Sequence, residues 1–162
     1  MRRPAWFTLL LALLCAWGVA IANAEKPLPA PEGEALWSHI SDKNPYTQWE
    51  FWPGYDGIYP GKSPHGAFLK LYANPLAIAA AREGRPLPEG SILVKENYGE
   101  DKETLLAITP MYKVTGYNSE AGDWFWAKYG PQGEVQSAGK VQSCIDCHQA
   151  AAADDFIFTK AK

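Results

Sequence analysis

The sequence lacks an excess of basic residues, with 15 lysines and arginines against 18 aspartates and glutamates. Arg2 and Arg3 belong to an N-terminal segment that we expect to be removed, which leaves 13 basic residues against 18 acidic ones and a formal charge of −5. This balance argues against nucleic acid and anionic membrane surfaces as partners. The sequence also has no internal repeat, so nothing indicates a repeat architecture.

Long apolar runs are absent apart from one near the start, between Trp6 and Ile21. This run follows two arginines and precedes the small residues Ala22 and Ala24, an order typical of a secretory signal peptide. It is too short to favour a transmembrane anchor, although a retained single-span anchor is the alternative. We therefore expect residues 1–24 to be removed on export and the remaining chain to lie in the periplasm without a membrane segment.

Removing 24 of the 162 residues leaves 138, one domain of ordinary size. Residues 25–44 begin with a Pro- and Glu-rich stretch and predict a flexible leader that ends in a short helix. Asn74, Pro75 and Gly84 frame an alanine-rich helix, with asparagine as its cap. Runs typical of strands cover residues 66–72, 91–98, 105–117, 123–129 and 133–141. This pattern predicts an α+β fold with an antiparallel sheet of about five strands and a few helices.

Cysteine is scarce, because only Cys144 and Cys147 remain once Cys15 is removed with the signal peptide. In an exported protein such a pair can form a disulfide, hold a metal or attach haem. The CIDCH sequence at residues 144–148 has the spacing of c-type haem attachment. Two thiols at this spacing add to the two vinyl groups of one haem, and the adjacent imidazole binds the iron. The motif predicts one covalent haem c with His148 as the proximal ligand.

Two other uses of the cysteine pair are less favoured. A thioredoxin-like redox pair belongs early in a βαβ unit, whereas this motif follows a series of strands near the C-terminus. A structural zinc needs further ligands, and after residue 24 the sequence has no third cysteine and only two other histidines, His39 and His65. The motif together with an export signal therefore favours haem.

The second axial position of the iron separates ligand binding from electron transfer. Few residues are able to fill it: Met111 lies in a strand-like run, His65 in a Pro-His-Gly turn and His39 in the poorly defined N-terminal region. A lone methionine on a strand is more often a core residue, and a histidine in a turn more often makes surface contacts or hydrogen bonds. We therefore expect an open or weakly occupied position. The alternative is a plain periplasmic electron carrier with a six-coordinate haem.

The haem motif, with the AAAADDFIFT sequence that follows closely after it, resembles the C-terminal end of the cytochrome P-460 family, which includes cytochrome c′-beta. The SILVKE run after PLPEG and the GDWFWA run extend the resemblance over most of the chain from about Pro64. The resemblance implies a monohaem protein, usually a homodimer, with an antiparallel sheet behind the haem, His148 proximal and the distal face open. The haem is thus expected to pack on one sheet face.

In the hydroxylamine-oxidising members of that family, a lysine is bonded to the porphyrin rim, and Lys95 stands at the position that looks equivalent. On the predicted strand, Lys95 shares one face with Leu93 and Asn97. A lysine that faces a cofactor is desolvated and readily neutral, as nucleophilic attachment requires. The alternative is an exposed or ion-paired strand lysine.

One departure from the family pattern concerns a distal carboxylate on the following strand, because residues 105–114 contain no Asp or Glu. Removing protons from hydroxylamine needs such a base. Glu96, Asp101 or Glu103 would replace it only if the backbone places one of them at the distal face. An apolar distal face resembles cytochrome c′-beta and favours binding of nitric oxide over oxidation of hydroxylamine. The residues expected to form this face are Phe68, Tyr72, Leu106, Ile108, Met111 and Trp126.

The sequence therefore predicts that residues 45–162 form a haem domain that binds or oxidises small nitrogen species such as nitric oxide and hydroxylamine. A redox partner cytochrome and a homodimer are further expectations. Whether the protein is an enzyme stays open at this point.

Overall fold

The structure, a computed structural model, describes residues 27–161. The predicted signal peptide at residues 1–24 lies outside the described residues and stays a prediction. Among residues 27–161, no helix is both long enough and apolar enough to cross a membrane. The architecture in this range is α+β, built on one antiparallel sheet, as the strand pattern predicts.

The sheet contains seven strands within residues 27–161, and every pair is antiparallel. Two strands were not predicted, β1 (Glu50–Phe51) and β2 (Tyr59–Pro60), because two residues are too few to show an alternating pattern. The five predicted strands are all present as β3 (Phe68–Ala73), β4 (Ile92–Tyr98), β5 (Leu105–Lys113), β6 (Trp124–Tyr129) and β7 (Val135–Gly139). Strands β3 to β7 are neighbours in chain order, and β1 and β2 both pair with the outer edge of β3.

Side chains of each strand alternate between two faces of the sheet, and each face has its own core. The front face carries a cluster that includes Leu71, Leu93 and Trp126. The back face carries a second cluster that includes Val94 and Phe125. Both faces are therefore covered, and neighbouring residues of one strand belong to different cores.

Two helices cover the front face: α2 (Pro75–Arg82) and α3 (Gln142–His148). Helix α2 begins where the sequence predicts, because the Asn74 side chain accepts a hydrogen bond from the Ala77 amide at 3.1 Å. The same side chain donates to the Gly90 carbonyl at 2.8 Å, which ties the helix to the segment before β4. The cap thus fixes both the helix and the start of the central strand.

The back face is covered by α1 (Gly33–Ser38) and the π-helical turn His39–Lys43, where Leu36 and Ile40 are fully buried. Tyr129 on β6 donates a hydrogen bond to the Gly33 carbonyl at 2.7 Å. The short helix predicted before residue 44 is present. In the structure it packs on the sheet as part of the back core.

Glu96 is buried on the back face, where tyrosine hydroxyl groups surround its carboxylate. Tyr46 donates to Glu96 at 2.9 Å and Tyr98 at 2.7 Å, while Tyr72 lies at 3.4 Å. Burial first, and then the nearby carboxylate, raise the pKa of Tyr72 to about 12. Because these hydrogen bonds hold the carboxylate on the back face, Glu96 does not contribute a base to the front face.

Replacing Tyr46 with Phe should lower the free energy of unfolding by about 1.5 to 3 kcal/mol, because the Glu96 carboxylate loses a buried hydrogen bond. Urea unfolding of the haem-loaded protein measures the change. Tyr117→Phe is the matched control, since that hydroxyl makes no hydrogen bond within residues 27–161, and it should change stability by less than about 0.5 kcal/mol. Equal effects of the two variants would contradict the role given to the Glu96 cluster.

Candidate functional site

A cavity of about 500 Å³ lies on the front face between the sheet and α3. Its volume is in the range of sites for cofactors and other small molecules. Its lining comes from the loop before β3, from β3 to β6, from α3 and from the C-terminal segment. The lining residues include His65, Lys95, Asn97, Leu106, Thr109, Met111, Trp126, Lys128, Cys144, Cys147, His148 and Phe158.

The strand register arranges the floor of the cavity in three rows. In the first row Leu93 on β4 pairs with Met111 on β5, which pairs in turn with Trp126 on β6. In the second row Lys95 pairs with Thr109, and in the third Asn97 pairs with Ala107. Because alternate residues of β4 form the floor, the first and third rows are roughly 13 Å apart along the strand. Lys95 lies midway between them.

His148 ends α3 and is the buried residue of that helix. Its Nδ1 lies 2.7 Å from the Phe156 carbonyl oxygen, which only accepts hydrogen bonds, so Nδ1 carries the proton and Nε2 keeps its lone pair. The ring packs against Trp126, with ring centres 4.7 Å apart, beside the first row. Burial lowers the pKa of His148, which favours the neutral form. A held Nδ1 and a free Nε2 are the usual state of a histidine that binds a metal.

Cys144 and Cys147 line the same cavity from α3 and are not joined by a disulfide. Among residues 27–161, no group of three or more His, Cys, Asp or Glu side chains is arranged to hold a metal ion. The strands described there form no parallel βαβ unit. The zinc and thioredoxin-like alternatives therefore gain no support from the described part of the chain.

Lys95 stands in the middle row, partly buried, and its ammonium makes no hydrogen bond or ion pair within residues 27–161. Burial lowers the pKa of Lys95 to about 8, while the charge of the nearby Cys147 sulfur acts in the opposite direction. As predicted, Lys95 shares its face of β4 with Leu93 and Asn97. An amine of this kind has an accessible neutral form and is nucleophilic.

His65 also lines the cavity, and its ring makes a hydrogen bond, one of the roles that the sequence favours for it. Its Nδ1 lies 2.8 Å from Oδ1 of Asn97. The Asn97 amide nitrogen faces oxygen atoms of Lys95, Ala107 and Thr109 at 3.1 Å each, so Oδ1 is the end that faces His65 and accepts from it. Burial first, and then Lys95, lower the pKa of His65 to about 4, so the ring is neutral at pH 7.

The loop that carries His65 approaches β4 closely. A Cβ atom at Gly66 would collide with the backbone of Tyr98, so only glycine allows this approach. The Gly66 amide also lies 3.4 Å from the Asn97 side-chain oxygen. The register of the β3–β4 pair brings the residues just before β3 to the end of β4, and no local pattern in the sequence records this register.

Only some of the residues expected to form an apolar face opposite His148 line the cavity, and Trp126 among them packs against the His148 ring itself. Leu106, Met111 and Trp126 line the cavity. Tyr72 and Ile108 belong to the back core instead, since both lie opposite residues of β4 whose side chains face backwards. Phe68 is outside the lining and lies beneath the Lys102 ammonium, 4.6 Å from its ring centre. The prediction that Phe68, Tyr72 and Ile108 line the pocket is therefore wrong, because side chains alternate between the two faces of the sheet along each strand.

Leu106 reaches the cavity because of a bulge. Asn97 pairs with Ala107, whereas the next residue, Tyr98, pairs with Leu105, so Leu106 is an extra residue on β5. Its side chain is half exposed at the rim.

No carboxylate lines the cavity formed by the described residues. Asp101 lies in an exposed turn, where its side chain accepts hydrogen bonds from the Glu103 and Thr104 amides. Lys95 and Lys128 give the lining a positive charge. The buried indole nitrogen of Trp126 lacks a hydrogen-bond partner among the described residues and is a donor available to a bound group. Such a lining suits an apolar, planar molecule with anionic side groups, as haem is.

The sequence model of the family described as Cytochrome P460 matches residues 44–159, most of the chain. The chain belongs to the cytochrome P460 family. A comparison with curated proteins gives no match. Membership in this family makes the protein a cytochrome with haem and iron, in agreement with the resemblance noted in the sequence.

The residues of the cavity fit the haem that the family implies. Cys144 and Cys147 would anchor it through thioether bonds, and His148 would bind the iron through Nε2. All three line one cavity, and the hydrogen bond from His148 to Phe156 leaves the correct ring nitrogen free. Attachment and ligation by these residues stay predictions.

Replacing both Cys144 and Cys147 with Ala in a Lys95→Ala background should leave no haem covalently retained after acid-acetone extraction, because neither a thioether bond nor a lysine bond is left. Each single variant should keep part of the covalent haem through the remaining thiol. Ser143→Ala, a neighbouring change on the cavity wall, is the control and should retain haem fully. Haem that stays attached in this triple variant would show that the anchor lies elsewhere.

Proposed function

We propose that this member of the cytochrome P460 family is an exported monohaem c-type cytochrome that binds small nitrogen ligands, nitric oxide above all, and oxidises hydroxylamine slowly or not at all. The observation that carries the proposal is the absence of a carboxylate from the described lining of the cavity. When bound, the haem would supply the iron that coordinates the ligand. The protein would supply the side chains around the iron, and these determine whether the bound ligand is oxidised.

Oxidation of hydroxylamine requires loss of protons, and the cavity offers poor acceptors for them. Glu96 lies on the back face and is held there by tyrosine hydroxyls. His65 is a weak base, because its pKa of about 4 is far below neutral pH. Lys95, once bonded to the porphyrin ring, would be a weak base, because its lone pair would be shared with the aromatic system. Nitric oxide needs no proton transfer to bind, so an apolar lining serves it well.

Lys95 is proposed as the residue that bonds to the porphyrin rim: the new N–C bond would replace one N–H and one C–H bond, and the two electrons and two protons released would pass to a peroxide, which is reduced to water. Lys95 lies in the middle row of the cavity floor, where a haem held by His148 would have its rim within reach of the amine. A desolvated amine without an ion-pair partner has the neutral form that attack on a cofactor requires. In this role Lys95 modifies the cofactor and takes no protons from the ligand.

Export to the periplasm is part of the proposal, because the N-terminal sequence has the features of a signal peptide and c-type haem is attached in that compartment. A homodimer and a redox partner cytochrome are likewise proposals, drawn from the family resemblance. Electron transfer is the second candidate function. It is favoured by His65, because electron carriers use a second strong ligand opposite the proximal histidine.

The absence of a base can be tested by adding one at the half-exposed rim residue Leu106. We expect the wild type to bind nitric oxide but to oxidise hydroxylamine slowly or not at all, and Leu106→Glu to raise the oxidation rate about 100-fold. Leu106→Gln, which has the same shape without the charge, should stay at the wild-type rate. Steady-state assays with an electron acceptor and nitric oxide titrations followed by absorption measure both properties. Rapid turnover by the wild type would refute the proposal.

The lysine bond predicts a cross-linked peptide. Proteolysis of the wild type should give one haem-containing species that joins the segment around Cys144 and Cys147 to the segment around Lys95, detected by mass spectrometry. Lys95→Ala should keep its haem through the cysteines but lose this link and the associated red shift of the ferrous absorption. Lys128→Ala is the control, because this lysine lies at the same cavity and should leave the link intact. Two separate peptides from the wild type would exclude the bond.

A further inference from the structure

The carbonyl that accepts the hydrogen bond from His148 belongs to an unusual turn. Asp155 and Phe156 follow one another with φ of 56° and 63°, in the left-handed region. Aspartate tolerates this region better than most residues, whereas an aromatic residue rarely adopts it. The turn ends the 3₁₀ helix Gln149–Asp154, and the Phe156 amide donates back to the Ala151 carbonyl at 2.9 Å. Two such residues in succession persist only where the surrounding structure holds them.

Asp155 is held by the end of the sheet. Its carboxylate lies 2.5 Å from Lys113 Nζ, and its carbonyl accepts a hydrogen bond from the Trp124 indole at 2.9 Å. Lys113 at the end of β5 pairs with Trp124 at the start of β6. The Lys113 ammonium also donates to the Gly122 carbonyl at 2.8 Å and lies 4.5 Å from the centre of the Trp124 ring. The turn is therefore fastened to two neighbouring strands.

The ion pair between Lys113 and Asp155 is shielded from solvent, because the two side chains are only 14 % and 31 % exposed. The second carboxylate oxygen of Asp155 makes no hydrogen bond within residues 27–161, so Lys113 supplies most of what stabilises the charge. A second pair lies one residue away, where Lys160 and Asp154 are 73 % and 46 % exposed. Solvent and salt screen an exposed pair strongly, so the shielded pair is the one that fixes the backbone.

The Phe156 side chain holds the turn from the other direction. Its ring is buried in the front core and packs against Gly122, where a Cβ atom would lie 2.8 Å from a ring carbon. Gly122 has a φ of 65°, so this position needs glycine both for the conformation and for the space. Beyond the turn, the Trp52 indole donates to the Thr159 carbonyl at 2.8 Å. The Phe156 carbonyl is thus fixed 2.7 Å from Nδ1 of His148.

The position of this carbonyl matters for the histidine as a metal ligand. An acceptor at Nδ1 fixes the tautomer and the orientation of the ring and raises the basicity of Nε2. A peptide carbonyl carries no net charge, so the strength of its hydrogen bond depends on distance and angle. The contacts that hold the turn therefore control how strongly His148 donates to a metal.

We propose that Lys113 and Asp155 are positioning residues, whose ion pair holds the Phe156 carbonyl against the His148 ring and so strengthens His148 as the ligand of the haem iron. The proposal rests on the proposed haem site and does not depend on which small molecule binds there. Neither Lys113 nor Asp155 belongs to the described lining of the cavity, so their effect passes through the carbonyl.

The test uses the holoprotein without added ligand and two variants that break the ion pair, Asp155→Asn and Lys113→Met. Resonance Raman spectra of the ferrous form give the iron–histidine stretching frequency, and a redox titration gives the reduction potential. Both variants should lower the frequency and raise the potential, because a less basic imidazole stabilises ferric iron less. We expect the equilibrium between the oxidation states to change roughly three- to tenfold, which is about 30 to 60 mV for one electron.

The sign of the potential shift separates positioning from a direct effect of charge. Asp155→Asn removes a negative charge and Lys113→Met removes a positive one, so a field acting through space on the haem would shift the potential in opposite directions. A loosened hydrogen bond shifts it in the same direction in both. Opposite shifts of the potential, or an unchanged frequency in both variants, would overturn the proposal.

Asp154→Asn is the matched control, since it makes the same charge change one residue earlier and breaks only the exposed pair. It should keep the wild-type frequency and potential, and a shift equal to that of Asp155→Asn would overturn the proposal. Gly122→Ala adds a test without a charge change, because the new methyl group pushes on the Phe156 ring. It should lower the frequency as well, and it decides the question if an ion-pair variant fails to fold, as judged by circular dichroism.

The same measurements distinguish this proposal from the proposed function. A ferrous wild type without an iron–histidine stretching band would refute the open haem site, while the potentials of the two variants would still decide the role of the ion pair. A wild-type band that Asp155→Asn, Lys113→Met and Gly122→Ala all leave unshifted would refute the role of the ion pair and leave the proposed function standing.

Discussion

The alternation of side chains along β4 is the constraint on which the site depends. Leu93, Lys95 and Asn97 point to the front, while Val94 and Glu96 point to the back. A lysine and a glutamate that are adjacent in sequence are thereby separated by the thickness of the sheet. The amine enters the cavity without a neutralising partner, and the carboxylate is satisfied by tyrosines on the other side. A shift of the register by one residue would exchange them and reverse the chemistry of the cavity.

Desolvation acts on three groups of the cavity in the same direction. Burial favours the neutral forms of His65, His148 and Lys95, and no carboxylate in the described lining opposes it. A neutral imidazole is a metal ligand and a neutral amine is a nucleophile, so one physical effect prepares both kinds of bond. An acidic residue in the lining would favour the charged forms of these groups while supplying the base for hydroxylamine oxidation. Ligand binding therefore favours a cavity without a carboxylate, whereas oxidation of hydroxylamine requires one.

Much of the architecture follows from local patterns. The asparagine cap of α2, the five longer strands and the haem motif are readable because each depends on a few neighbouring residues. The lining of the cavity is harder, because it depends on strand register. Ile108 and Met111 are three residues apart on one strand, and an odd spacing puts two side chains on opposite faces of a sheet. Only one of them is therefore able to face the cavity. The bulge at Leu106 and the approach of His65 to Asn97 arise from contacts between distant segments, which no local pattern records.

Helix α3 has His148 as its buried residue, and Cys144 and Ile145 of the same helix pack against the front core. A cofactor fixed to Cys147 at one edge and to Lys95 at another would join the end of the chain to its central strand. Such a bridge closes a loop of about fifty residues, and the entropy removed from the unfolded chain corresponds to about 4 kcal/mol if it is treated as a disulfide would be. In this respect the haem would be a cross-link of the polymer as well as a cofactor.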